Sequence, residues 1–303
     1  MTKSFFRSDG RALRVIEGFR ERVLSYRASV SPRPGWTERD FAASADRKRK
    51  RFRRLLDSFA RFVPTIDGAR VLDVGCGDGV NCILLAAEPV RLVVGIDLHP
   101  RLFAPGAEGQ QMKTLLEQVV GPAAEGSLPN RPVCFAKMDA TRMGFRRESF
   151  DVVLSRSAAE HIQPIERALA EIARVVRRGG FVYLGIDPFF WLRGCHKRGL
   201  VDIPFAHARL PLPEYRRFVA DSEGTKTAEM RCRRLETLNR LTVRQWRRTI
   251  ESQPWDVLDW KDAPSELGAT VLRENPDILD TLLPGIDEHE LLTERIEVCL
   301  RTG

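Results

Sequence analysis

Residues 71–79 read VLDVGCGDG, an apolar run that closes in three glycines spaced two apart and carries an acid, Asp73, inside it. Glycines at such a turn let the backbone come close to a ligand and take φ angles barred to other residues. If the run is a strand feeding a helix that begins near Val80, the amides at that helix N-terminus form a polar cradle. The full pattern is D-x-G-x-G-x-G, through Asp73, Gly75, Gly77 and Gly79. A dinucleotide fingerprint needs its last glycine at Val80, so a nicotinamide or flavin fits poorly. A second acid, Asp97, ends the run VVGIDL about twenty residues on, where a carboxylate can accept both hydroxyls of an adenosine ribose. A glycine turn or a strand-end Asp alone is a weak signal. On successive strands the two together are a much stronger sign of a nucleotide-type ligand.

Positioning these residues requires a sheet. ARVLDVG, RLVVGIDL, PVCFAKMD, FDVVLSRS and FVYLGID are five candidate strands, several of them apolar almost throughout, as strands covered on both faces of a parallel sheet tend to be. Helical stretches at GVNCILLAAE, GQQMKTLLEQVV and IERALAEIARVV alternate with them, and WDVLDWKD and TERIEVCLR supply two final strands. The alternation predicts a doubly wound, mostly parallel seven-stranded α/β sheet. Residues 1–66 read as a helical extension: ALRVIEGFRERVLSY has one apolar stripe, SPRPGW breaks it, and a second helix carries Phe52, Leu55, Leu56, Phe59 and Phe62 at helical spacing. Residues 67–303 then form the main domain, with an insertion after the fifth strand at 187–254 that is rich in aromatics, arginines and prolines. An insertion there lies beyond the carboxyl ends of the strands, the ligand edge of such sheets. It is expected to act as a lid, with ADSEGTKTAEM as a polar, mobile tip.

At this point the chain resembles the class I S-adenosylmethionine-dependent methyltransferases. VLDVGCGDG is similar to their first motif, VVGIDL to the motif with the ribose-binding acid, and KMDATRMGFRRESFDVVLSRSAAEHI to the third- and fourth-strand motifs. ALAEIARVVRRGGFVYLGID resembles the helix, turn and fifth strand that follow, so the likeness covers residues 68–187 closely and the last two strands more loosely. It implies a Rossmann-like fold and S-adenosyl-L-methionine as cofactor. Gly75, Cys76 and Gly77 would then lie against the methionine part, with Asp73 ordering the turn. Asp97 would hold the ribose, Leu98 would lie alongside the adenine, Asp139 and Ala140 would take the adenine amino group, and Ser155 would sit where cofactor meets acceptor.

Methyl transfer from a sulfonium is an in-line displacement, and orientation alone supplies up to roughly 7–11 kcal/mol. A hydroxyl acceptor also needs a group to take its proton. His161, in SRSAAEHIQP, is the first candidate, against the plainer role for Glu160 and His161 of beginning or capping the next helix. His207 is a second candidate base, with His196 as an alternative to it for a base or substrate-contacting role. It belongs to a lid cluster with Cys195, His196 and Asp202 whose spacing matches no standard metal site, so no metal is expected. Nucleobase amine methylation in this fold usually accompanies N-P-P-Y or D-P-P-Y after the fourth strand, where this chain has Ser155, Arg156, Ser157 and Ala158. Carbon-5 pyrimidine methylation would need a cysteine beside a proline there, and none is present. The expected acceptor is therefore a small molecule or saccharide, with O-methylation ahead of N-methylation and an anionic group suiting the arginine-rich lid.

The net charge is +8, and its densest run is Arg47, Lys48, Arg49, Lys50, Arg51, Arg53 and Arg54. The run suits the wet face of an amphipathic helix better than a nucleic-acid site, since no stacking platform or nucleic-acid motif accompanies it. RNA methylation, or non-catalytic binding of RNA or an anionic surface through helix 47–54, is the alternative. The 6 cysteines are scattered without a CxxC pair and read as reduced packing residues. No run approaches the roughly 18 apolar residues of a membrane span, and MTKSFFRSDGRALRVIEGF lacks a secretory pattern, so a cytoplasmic location is expected.

Overall fold

The computed structural model describes residues 3–26, 32, 35–63, 65–121 and 132–303. A hairpin of β1 (Ser4–Phe6) and β2 (Ala12–Arg14) precedes a separate sheet of β3 (Arg70–Val74), β4 (Leu92–Asp97), β5 (Val133–Lys137), β6 (Phe150–Arg156), β7 (Val176–Ile186), β8 (Trp255–Pro264) and β9 (Thr293–Thr302). The order in this seven-stranded sheet is β5-β4-β3-β6-β7-β9-β8, with β3 to β7 mutually parallel and β9 antiparallel to both of its neighbours. The order reverses between β3 and β6. Ligands of such sheets bind in the crevice outside the strand ends at that point.

The near-continuous apolar runs follow from burial on both faces. Val71, Val93 and Val152 pack with Phe52, Leu55 and Phe59 of the helix Glu38–Ala60, while Leu72, Val94 and Val153 pack with Leu169 and Trp246 on the other side. The helix Glu38–Ala60 opens on a reciprocal cap, in which Asp40 N–H donates to Thr37 Oγ1 and Thr37 N–H to Asp40 Oδ2. RRGG, expected as a turn, lies within β7. The ladder shifts register there, from Phe150 opposite Val176 to Val152 opposite Phe181.

The N-terminal expectation needs correction. Residues 4–14 are a hairpin rather than helix, because Gly10 takes φ +84° and the Arg7 and Arg11 backbones pair across the turn. Helix begins only at Phe19, after a left-handed Gly18. Of the expected break at SPRPGW, Ser31, Arg33 and Pro34 lie outside the described residues. Nor does the segment act as one extension. Leu13, Phe19 and Val23 pack into the insertion after β7, whereas the helix Glu38–Ala60 packs on the sheet.

The expected loop tip ADSEGTKTAEM is also corrected, since it is the junction of two helices, Leu212–Glu223 and Thr225–Glu236, with the break at Gly224, φ +89°. A further segment between β8 and β9, including the helix Glu266–Glu274, joins the same core through Val271, Leu272 and Leu291. The insertion expected to act as a lid is thus part of a second core built from three stretches of chain. Among the described residues, no helix is long and apolar enough to cross a membrane.

Candidate active site

The glycine turn leaves β3 and is stitched to β4. The N–H groups of Gly75 and Cys76 both donate to Ile96 O, at 2.8 and 3.0 Å, and Gly77 N–H donates to Asp97 Oδ2 at 2.9 Å. Gly75, Gly77 and Gly79 have φ of +76°, +54° and +72°. A Cβ at Gly75 would stand 2.3 Å from Ala158 Cβ, so the turn fits under the loop that follows β6 only as glycine. Asp78, in the same turn, is ion-paired with Lys48, which ties the basic helix to the cradle.

Asp73 is buried and accepts from Cys82 Sγ at 3.4 Å. Desolvation raises its pKa from 3.8 to about 7, against the opposing pull of the Cys82 hydrogen bond. Asp97 Oδ1 accepts from His99 N–H at 2.8 Å, so each oxygen of Asp97 holds one backbone donor and keeps a lone pair for a ligand. Asp139, just past β5, uses Oδ1 for Thr141, leaving Oδ2. Ala140 is buried behind it, and Leu98 is 53% exposed beside Asp97. Ser155, at the end of β6, has a buried hydroxyl with no hydrogen-bond partner. An open face over Gly77, spare carboxylate lone pairs, an unsatisfied hydroxyl and an exposed apolar side chain fit an adenosyl amino acid.

Past the end of β6, Glu160 and His161 form a 3₁₀ turn, Ala159–His161, that is separate from the next helix, Ile165–Val175. Asn239, at the end of the lid, clamps this turn: its Nδ2 donates to Ala159 O at 2.9 Å and Ile162 O at 2.6 Å, and its backbone N–H to Glu160 O at 2.7 Å. The ring of His161 stacks on His196 with centroids 4.8 Å apart. Burial is the main cause of the depressed pKa of His161, about 4, with His196 and Arg234 adding to it. Asp187, at the end of β7, is ion-paired with Arg295 at 2.9 Å and adds negative charge near both histidines.

The structure disperses the remaining lid residues. The Nε2 of His207 lies 3.0 Å from Trp191 O, and burial pushes its pKa down to about 4. It borders a cleft of about 410 Å³ with Phe189, Phe190, Tyr215 and Arg240. Asp202 Oδ1 accepts from Arg20 N–H, and burial pushes the Cys195 thiol up. The basic helix is partly engaged within the molecule: besides Lys48, Arg49 donates to Gln118 O and Val119 O, while Lys50 makes an exposed pair with Asp46 of the same helix. Arg47 and Arg54 of this helix, with Arg156 of β6 and Glu294, Arg295 and Glu297 of β9, line another cleft of about 410 Å³. Asn239, Asp187 and Arg295 had no local sequence signal, because each acts across 75 residues or more of chain.

Residues 72–184 match the family described as a methyltransferase domain. The chain is 31% identical over 132 residues to the 27-O-demethylrifamycin SV methyltransferase of Amycolatopsis mediterranei, 44% of this chain and 43% of that protein. It is 32% identical over 124 residues to the ubiquinone biosynthesis O-methyltransferase of Rhizobium rhizogenes, 39% of this chain and 41% of that one. The matches thus span less than half the length of these relatives. Among solved structures, geranyl diphosphate C-methyltransferase from Streptomyces coelicolor A3(2) aligns with 91% of this chain and 88% of its own, at a TM-score of 0.51 and 13% identity. That is a likeness of fold alone.

Proposed function

Residues 72–184 belong to the class I S-adenosylmethionine-dependent methyltransferases, and from this premise we propose that the whole chain methylates a hydroxyl group of a small molecule or saccharide. The observation that carries the reading is the packing of the glycine turn, at the reversal of strand order, against Ala158, the residue just before the turn that holds Glu160 and His161 of the Glu160–His161–His196 cluster. S-adenosyl-L-methionine, when bound, supplies an electrophilic methyl group on a sulfonium. Gly75 and Gly77 admit its methionine part, Asp97 takes the ribose, Asp139 and Ala140 meet the adenine, and Ser155 hydrogen-bonds at the boundary with the acceptor.

The acceptor lies under the lid, its hydroxyl facing His161, so that its proton is lost at that cluster. O-methylation is favoured because a hydroxyl needs such a group, and the two relatives' names specify oxygen. The Arg47–Arg54–Arg156–Arg295 cleft suits a carboxylate or phosphate on the acceptor. A soluble, cytoplasmic setting fits a small-molecule acceptor. Release of S-adenosylhomocysteine against fractionated metabolites tests the reading. His161→Gln is expected to lower turnover by about a hundred-fold while leaving calorimetric cofactor affinity within about two-fold. Unchanged turnover removes His161 from the reaction, and no cofactor binding by the native chain overturns the proposal.

A further inference from the structure

Glu160 is 2% exposed, and neither carboxylate oxygen has a hydrogen-bond partner. The backbone N–H groups of Glu160 and Asp187 favour its charged form, but neither completes a hydrogen bond to it. A buried carboxylate in this condition is unfavourable unless a proton or a cation compensates it. His196 Nε2 is likewise buried without a partner. One ligand atom from each of Glu160, His161 and His196 lies within 4.8 Å of the others.

We propose that Glu160, His161 and His196 bind one divalent transition-metal ion of the zinc type. Two imidazoles and one carboxylate are a ligand set that leaves a coordination position open, and imidazole selects this class of ion over magnesium or calcium. Ligands on a tetrahedral ion stand roughly 3.4 Å apart, so small side-chain rotations close the set. The protein builds both halves of the site firmly. Asn239 clamps the turn that carries Glu160 and His161. His196 is delivered by a tight turn in which a Cβ at Gly194 would stand 2.2 Å from the carbonyl oxygens of Pro188 and Phe189, and His196 itself is held at φ +54°. Asp187 adds negative charge beside the cluster, while Arg234 opposes it.

The ligands are some 35 residues apart in sequence, which is why no metal-ligand spacing is visible there. The role of the ion, as distinct from its binding, rests on the methyl-transfer reading. An acceptor hydroxyl taking the open position would release its proton to solvent more readily, with His161 serving as a ligand.

The test is competition between the full-length protein and a chromophoric chelator for Zn²⁺, after stripping with a stronger chelator. The expected result is saturable binding of roughly one ion, weakened at least about ten-fold by His196→Asn and by Glu160→Gln. Asn tolerates the left-handed backbone and Gln is an uncharged isostere, so the two variants threaten folding in different ways. His289→Ala, in the exposed Asp287–His289–Glu290 group, should leave affinity unchanged. Absence of saturable binding, or equal binding by His196→Asn and Glu160→Gln, overturns the site and leaves Glu160 merely protonated. Weakening by His289→Ala alone assigns the ion elsewhere and also overturns it. Calorimetry with S-adenosylmethionine on the same samples is independent: cofactor binding without zinc binding sinks the metal site but leaves the methyl-transfer reading standing, and the reverse result does the opposite.

Discussion

The two walls proposed for the site, one for cofactor and one for acceptor, are made in different ways. The cofactor wall is local: Gly75 to Gly79, Asp97 and Asp139 each follow directly from a strand, and the strands of one parallel sheet bring their ends together. The acceptor wall is assembled: Glu160 and His161 come from the loop after β6, His196 and Asn239 from the lid, and Arg295 from β9. Backbone hydrogen bonds align the first wall. The second depends on a separate core, in which the hairpin, the insertion after β7 and the segment between β8 and β9 bury Leu13, Phe205 and Leu291 together. A wall fixed by register can keep one ligand while a wall fixed by side-chain packing changes with another, which is one physical route to different acceptors on one fold.

That contrast is open to direct attack. The largest effect is expected for Gly75→Ala, which places a Cβ 2.3 Å from Ala158 Cβ at φ +76°. Overpacking and left-handed strain together should cost about a hundred-fold in cofactor affinity by calorimetry. Adding Ala158→Gly should restore part of it, and no loss in the single variant would mean the turn is not the cradle. Asn239→Ala attacks the other wall and removes the hydrogen bonds to Ala159 O and Ile162 O. Lost turnover of about ten-fold with unchanged cofactor affinity is expected, along with about 1–3 kcal/mol of stability by urea unfolding. If cofactor affinity falls as far as turnover, the two walls are not separable.

The same contrast explains what could be read before the structure. β3 to β7 and the glycine turn were legible because their signals lie within a few residues: an apolar run, then Gly75, Gly77 and Gly79 at the strand end. The seven-stranded sheet followed from their alternation with helices. The hairpin at 4–14 was missed although Asp9–Gly10 is a turn signal, because the apolar stripe from Ala12 onward also fits a helix. His161 could be singled out by its place after β6, whereas its stacking on His196 and clamping by Asn239 belong to tertiary packing. His207 looked equivalent to His196 in sequence. The structure separates them, because the short helix Ala206–Arg209 turns His207 toward Trp191 O, inside the lid.

The smallest effect concerns Asp73, on the cofactor wall. Burial raises its pKa from 3.8 to about 7 in the folded protein. The unfolded carboxyl loses its proton near 3.8, while the folded one keeps it until about 7, so between these values the folded state holds the extra proton. Stability contributed by this group is therefore present at low pH, falls as pH rises through that window and levels off above it. Asp151 and Glu171 act in the opposite sense, since their pKa values are lowered in the folded state, but their titration lies at more acidic pH. Urea midpoints between about pH 5 and 7.5 should decline for the native chain and decline less for Asp73→Asn. Equal slopes would show that the Asp73 carboxyl is already ionised in the folded state, held charged by water or by Arg156. The proposed cradle would then meet a ligand with a preformed charge rather than acquiring one on binding.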